Sequence, residues 1–248
     1  DFARQIKNAG SHLLVVPVPP KALIHPEPLG ISEAASKAAD ATLDAFYLEL
    51  KEQGVQVVDL RPVFRAGRAT NALYCRTDSH WSGVGLDLAA QEVARHLRAA
   101  GWTREPASAW PVEWRDVAIN GDLGRMAGSA EREGVRLGFV TDAAGAVLTS
   151  EPASPLLVLG DSHTLVFQAG GDMHATGAGW PDHLARALGQ PVDLLSVRGS
   201  GATTARISLM RRVRAQPDYL KGKPWVVWCF AARDFTEADS WRIVPLQP

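Results

Sequence analysis

Five short apolar runs recur along most of this chain: "LLVV" at 13–16, "VQVV" at 55–58, "LLVL" at 156–159, "VDLLSV" at 192–197 and "WVVWCF" at 225–230. Each has the length and composition of a strand buried on both faces. Between several of them the apolar spacing becomes helical. Ala39, Leu43, Phe46, Tyr47 and Leu50 mark one helix, and Val84, Leu88, Val93 and Leu97 another. A third is expected over 203–215, with Ile207, Met210 and Val213 turned inward and Arg206, Arg211, Arg212 and Arg214 turned mainly outward. Alternation of this kind requires a mostly parallel sheet with helices on both faces. A chain of 248 residues with 46% hydrophobic content can bury such a core as one large α/β domain.

Residues 101–155 interrupt the pattern. "GWTREPASAWPVEWRD" carries prolines and three tryptophans, and the glycine-rich stretch after it has strand-like pieces at 135–140 and 146–149. The expectation is a single domain over 1–248 with an insertion of loops and a small hairpin at about 101–155. The tryptophans either line a sugar-binding surface or clamp the insertion onto its domain.

Charge and cysteine content narrow the function classes. With 26 basic and 27 acidic residues the formal net charge is -1, so the chain lacks the electrostatic footprint of a nucleic-acid binder. No apolar run reaches the roughly 18 residues of a membrane span. The sequence opens at Asp1 without a signal-peptide core, which is compatible with an upstream signal or anchor removed from it. Cys75 and Cys229 are too few and too far apart for a metal site or redox pair. They are expected as two free thiols, with one long-range disulfide the alternative, and no metal or cofactor is expected.

Chemistry concentrates in two stretches. In "LVLGDSH", Ser162 follows a central strand and precedes a helix expected near Thr164, at the sheet rim where open parallel sheets bind ligands. Ser162 is either a nucleophile or an N-cap. Thr164 stands where a G-x-S-x-G elbow would have its last glycine, so that scaffold is disfavoured. His163 is adjacent to Ser162, yet its side chain diverges on a strand or a helix, which makes it a poor base.

In "YCRTDSHWS", Asp78 and His80 are two apart. On an extended segment they would project together, the carboxylate holding Nδ1–H and leaving Nε2 for proton transfer. An Asp or Ser capping the helix that follows, beside a partly buried histidine, is the alternative.

"RTDSHWS", "LVLGDSH" and "VVWCFAARDF" together resemble the SGNH-hydrolase-like domain of the alginate O-acetyltransferase family, the AlgX and AlgJ proteins, and "LLVVPVPPKALIHPE" fits that family's first strand and loop. The order Asp78, His80, Ser162 is the reverse of ordinary SGNH hydrolases and is similar to the circularly permuted arrangement of the acetyltransferases. The resemblance implies a three-layer SGNH hydrolase-like fold, Ser162 as nucleophile, His80 as general base and acid, and Asp78 as its orienter. It also implies a periplasmic protein whose acetyl donor is presented by a membrane O-acyltransferase. The oxyanion blocks of SGNH hydrolases have no clear equivalent. The Ser162 backbone N–H, the loop at Gly199–Gly201, Arg198 and Arg233 are the candidates, with pairing of Arg233 to Asp234 or Asp239 the alternative for that residue.

The expected activity is transfer of acetyl through a serine acyl-enzyme to hydroxyls of an exported polysaccharide. An acetylesterase using the same triad and a non-catalytic polysaccharide-binding protein are the alternatives.

Overall fold

The computed structural model describes residues 1–102, 106, 109–199, 201–238 and 241–246. The first half of the chain forms α1 Phe2–Asn8, β1 His12–Val18, α2 Lys21–Ile24, α3 Glu33–Glu52, β2 Gln56–Val57, α4 Arg61–Gly67, α5 Gly83–Ala99 and β3 Val112–Ile119. The second half forms α6 Asp122–Met126, β4 Glu133–Val140, β5 Leu156–Gly160, α7 Ser162–Leu165, α8 Trp180–Leu188, β6 Asp193–Ser196, α9 Gly201–Ala215, β7 Trp225–Ala231 and α10 Asp234–Glu237. These gather into two compact units, one of Asp1–Asp59, Ser150–Ser162 and Val192–Pro248, the other of Leu60–Thr149 and His163–Pro191.

The first unit holds a five-stranded sheet in the order β2-β1-β7-β5-β6. Its strands pair in parallel, Leu14 facing Gln56, Val15 facing Trp228, Leu159 facing Trp228 and Leu159 facing Leu195. The apolar runs of the sequence thus became strands, with β1, β5 and β7 buried along nearly their whole length while the edge strands β2 and β6 are only partly covered. Leu13, Val15, Leu157, Leu159, Val226, Trp228 and Phe230 pack against Phe2 and Ile6 of α1 and Ala202, Ala205, Leu209 and Val213 of α9.

The inward stripe of α9 differs from the one expected. It runs through Ala202, Ala205, Arg206, Leu209 and Val213, while Ile207 and Met210 are half-buried. Arg206, expected outside, is 4% exposed. It lies four residues after Ala202 on the core face, and its guanidinium sits 5.4 Å from the Trp228 ring and 5.5 Å from Trp241. It also donates to Arg242 O and Thr203 Oγ1, both at 3.0 Å. Aromatic faces and these acceptors replace its water.

In the second unit α5 packs on α8 and β4, and β3 pairs antiparallel with β4 from Val112↔Val140 to Ile119↔Glu133. The expected hairpin therefore has a different partner strand. The 146–149 piece makes only a bridge between Thr141 and Val147, and the strand opposite β4 is the segment that prolines and tryptophans made look like loop. Trp102 is buried and Trp114 packs 5.8 Å from the His183 ring. Residues 103–105 and 107–108 of this region lie outside the described residues.

Candidate active site

Asp78 and His80 sit in a tight loop closed by an antiparallel bridge between Tyr74 and Trp81, with Cys75 N donating to His80 O at 3.1 Å. They meet because the loop is bent, and not because an extended strand alternates. Asp78 Oδ1 accepts the His80 backbone N–H at 3.0 Å, an aspartate bonding its own chain two residues on, and this brings His80 Nδ1 to the same oxygen at 2.6 Å. The capping role falls to Ser82, whose Oγ accepts from Gly85 N at 3.1 Å and donates to Ala72 O at 2.6 Å.

Three neighbours hold this loop. Glu133 Oε2 accepts from Thr77 N at 2.6 Å and Thr77 Oγ1 at 2.8 Å, and Glu133 Oε1 accepts from Arg76 N at 2.6 Å. Asp122 accepts from Ser79 N at 2.6 Å and also from its hydroxyl, while its own backbone N–H donates to Asp78 Oδ2 at 3.0 Å. Gly121 makes that approach feasible, because a Cβ there would lie 2.0 Å from Thr77 O. His174 Nε2 lies 3.0 Å from Asp78 Oδ2.

Asp78 is 1% exposed. Burial by itself would push its carboxyl upward, but hydrogen bonds from His174, His80 and the Asp122 amide outweigh it and hold the group well below the usual carboxylate range. It is an anion at neutral pH. Ligand atoms of Asp78, His80 and Asp122 lie within 4.8 Å of one another. The same atoms carry the hydrogen bonds just described.

At the end of β5, Asp161 Oδ2 accepts from Ala231 N at 2.8 Å and ties the carboxyl ends of β5 and β7 together. α7 begins at Ser162 itself, two residues earlier than expected, so the serine stands inside the first turn and not before it. With four residues, α7 supplies local N–H groups but little macrodipole. His163 O accepts from Trp81 Nε1 at 3.0 Å. The His163 ring packs edge-on against His80 at 4.9 Å and Trp81 at 5.5 Å. The neighbour set aside as a base thus has a packing role, and the tryptophan following His80 grips the peptide that follows Ser162.

A family model described as the SGNH hydrolase-like domain of the acetyltransferase AlgX matches residues 1–232. The chain belongs to this family. The probable alginate O-acetylase AlgJ of Pseudomonas syringae pv. tomato is 31% identical over 114 residues, which is 46% of this chain and 28% of that protein. Its counterpart in Pseudomonas putida is 32% identical over 119 residues, 48% of this chain and 31% of that protein. The matched stretch is thus less than a third of either relative's length. Among solved structures, the O-acetyltransferase domain of Pseudomonas putida AlgJ aligns with a TM-score of 0.74 at 18% identity, over 96% of this chain and 81% of that one. Pseudomonas aeruginosa AlgX aligns with a TM-score of 0.68 at 19% identity, over 93% and 54%. The SGNH hydrolase-like α/β fold is shared with both.

Within this AlgX-type domain the remaining candidates are more dispersed. Arg198 is exposed after β6, and Arg233 is exposed at the residue preceding α10. Gly201 has φ +56, and a Cβ on it would meet Asp234 Oδ2 at 2.7 Å. That carboxylate accepts the Ala202 N–H at the start of α9. Burial raises the Asp234 carboxyl, against the pull of Ala202 N–H and Arg233. Asp239, the other partner considered for Arg233, lies outside the described residues, as does Ser200 in the glycine loop. Cys75 and Cys229 are buried thiols not joined in a disulfide, and burial followed by the charge of Asp161 raises the Cys229 thiol.

His174, Asp122 and Glu133 complete the loop without being among the candidates the sequence pointed to. The glycine before Asp122 in "NGDLG" is a signal of close backbone approach, but "GDMHAT" carries none for His174.

Proposed function

We propose that this domain is an O-acetyltransferase that moves acetyl through a serine acyl-enzyme to hydroxyls of an exported, alginate-like polysaccharide. Ser162 is the nucleophile, His80 the base and acid, and Asp78 the orienter. One observation carries the assignment: a buried Asp78–His80 pair whose imidazole packs on His163, the residue covalently next to Ser162. Family membership and the AlgJ relatives supply the chemical class. No described helix is long and apolar enough to cross a membrane. Delivery of acetyl by a membrane O-acyltransferase and a periplasmic setting complete the proposal.

Because Asp78 Oδ1 engages Nδ1, the proton on that nitrogen is fixed and Nε2 is the basic one. His80 Nε2 takes the Ser162 Oγ proton as Oγ bonds to the acetyl carbonyl carbon of the donor. The Ser162 backbone N–H is the proposed partner of the resulting oxyanion. The donor's leaving atom then takes the proton from Nε2 as its bond to carbon breaks. In the second half a sugar hydroxyl gives its proton to Nε2 and bonds to the acyl carbon, and Ser162 Oγ leaves with that proton. An anionic Asp78 stabilises the imidazolium in both halves.

Mass spectrometry of the protein incubated with an activated acetyl ester tests the first half, and acetyl gain by bare oligosaccharide the second. Ser162→Ala should abolish both. Full retention of either by the variant would falsify the mechanism. Acetyl loss from acetylated oligosaccharide, with no gain by the bare one, would instead identify an esterase.

A further inference from the structure

His174 combines two properties that rarely coincide. Its backbone is at φ 74, ψ -43, a left-handed conformation costly for any residue with a Cβ. Its ring is nevertheless buried, with Nε2 3.0 Å from Asp78 Oδ2. Ala175 N donates to Met173 O at 2.9 Å across it, closing a γ-turn of the strained, positive-φ kind.

The surrounding loop enforces this geometry. Phe167, fully buried and itself at φ 60, donates its N–H to the same Met173 O at 2.8 Å and accepts from Ala178 N at 3.0 Å. Gly170 N donates to Ala175 O at 2.8 Å, and His174 N to Gly171 O at 3.0 Å. A glycine at 174 would relieve the strain but would remove the ring that reaches Asp78. The bond to Asp78 is the contact that the strained backbone delivers.

We infer that His174 is a positioning residue for the Asp78–His80 pair: its Nε2–H holds Oδ2 of Asp78, so that Oδ1 stays aligned with His80 Nδ1 and the carboxylate charge is shared between two rings. The inference rests on the proposed roles of Asp78 and His80. Asp78 Oδ2 can only accept, so Nε2 of His174 carries a hydrogen. Without that donor the carboxylate is a stronger partner for His80, and the protonated imidazole is favoured. Among the described residues, the titratable groups that bond to or pack on the pair and its loop include His163 on α7, Asp122 on α6 and Glu133 on β4, and substitutions at 174 leave all three in place.

The test is an NMR titration of the His80 ring, paired with the pH profile of acetyl-ester turnover. His174→Leu fills the space without a donor, whereas His174→Gln presents an amide N–H at nearly the same reach. The Leu variant should raise the His80 midpoint by about one unit and move the acidic limb of kcat/KM upward with it, and the Gln variant should return most of the shift. A folded Leu variant with an unmoved His80 midpoint, or a Gln variant no better than Leu, overturns the inference. Should the Leu variant not fold, nitrogen-resolved imidazole spectra of the parent protein decide. Protonated Nε2 on His174 supports the inference, and bare Nε2 with protonated Nδ1 overturns it. If the parent turns over no acetyl ester, the proposed activity fails while the His80 titration still reads the role of His174.

Discussion

Beside the His174–Asp78 contact, two aspartate–histidine pairs of the second unit share nearly the same Nδ1–Oδ1 distance. His80 Nδ1 lies 2.6 Å from Asp78 Oδ1, and His183 Nδ1 lies 2.6 Å from Asp87 Oδ1. In both, burial pushes the carboxyl up and hydrogen bonding to histidine brings it below its ordinary value. They differ at the far nitrogen. His183 Nε2 donates to Gly138 O at 2.8 Å, so both of its nitrogens face acceptors and the ring ties α5, β4 and α8 together. His80 engages Asp78 through Nδ1, and its ring lies against the residue that follows Ser162. Under the proposed mechanism, pairing with a carboxylate is therefore not what marks His80 for proton transfer; the difference is whether the second nitrogen is committed to the fold.

Breaking each pair should separate the two uses. His80→Ala is expected to lower acyl-enzyme formation by about 10³-fold or more while the protein stays folded, measured by single-turnover acetylation. Asp87→Ala should do the reverse, costing about 3–5 kcal/mol in a urea titration because it strands the His183 ring, with acylation per folded molecule largely kept. The contrast fails if His80→Ala proves the more destabilising of the two, or if Asp87→Ala loses acylation in the folded state.

Smaller effects refine the contrast. Gly121→Ala must push the Thr77 carbonyl away and should cost about 1–3 kcal/mol together with about tenfold in acylation rate, since the same loop carries Asp78. Equal stability and rate would show that the close approach is not needed. Ser82→Ala removes the α5 cap and should cost about 1 kcal/mol, with no change in the pH profile of turnover.

Acid sensitivity follows from both pairs. Asp78 and Asp87 have carboxyls lowered by folding, so each contributes stability that is complete above the unfolded value of about 3.9 and is lost as pH falls through its lower folded value. The urea midpoint should drop below about pH 4, and less steeply in Asp87→Asn. A midpoint flat from neutrality to pH 3 would contradict the assigned ionic states.

Local signals survived folding where burial or short-range geometry controls them. The five apolar runs became strands, and the three central ones are covered on both faces as a run without polar alternation must be. The Asp78–His80 pairing was visible because two residues of separation suffice for it, although the bend that creates it was read as an extended segment. Arg206 was turned the wrong way because charge is only a statistical guide to exposure, and aromatic rings supplied the partners that water would have given. β3 was hidden because its polar and apolar residues alternate weakly beside prolines.

The amino-acid sequence by itself determined a parallel α/β sheet, a serine at the end of its β5 strand and a histidine paired with an aspartate, because each follows from residues close in the chain. Only the tertiary structure decided what holds Asp78 from its other side and which buried histidine is committed at both nitrogens. His174 meets Asp78 across 96 positions, and His183 meets Asp87 across the same separation. Contacts of that span depend on how loops and helices pack, and no local spacing encodes them.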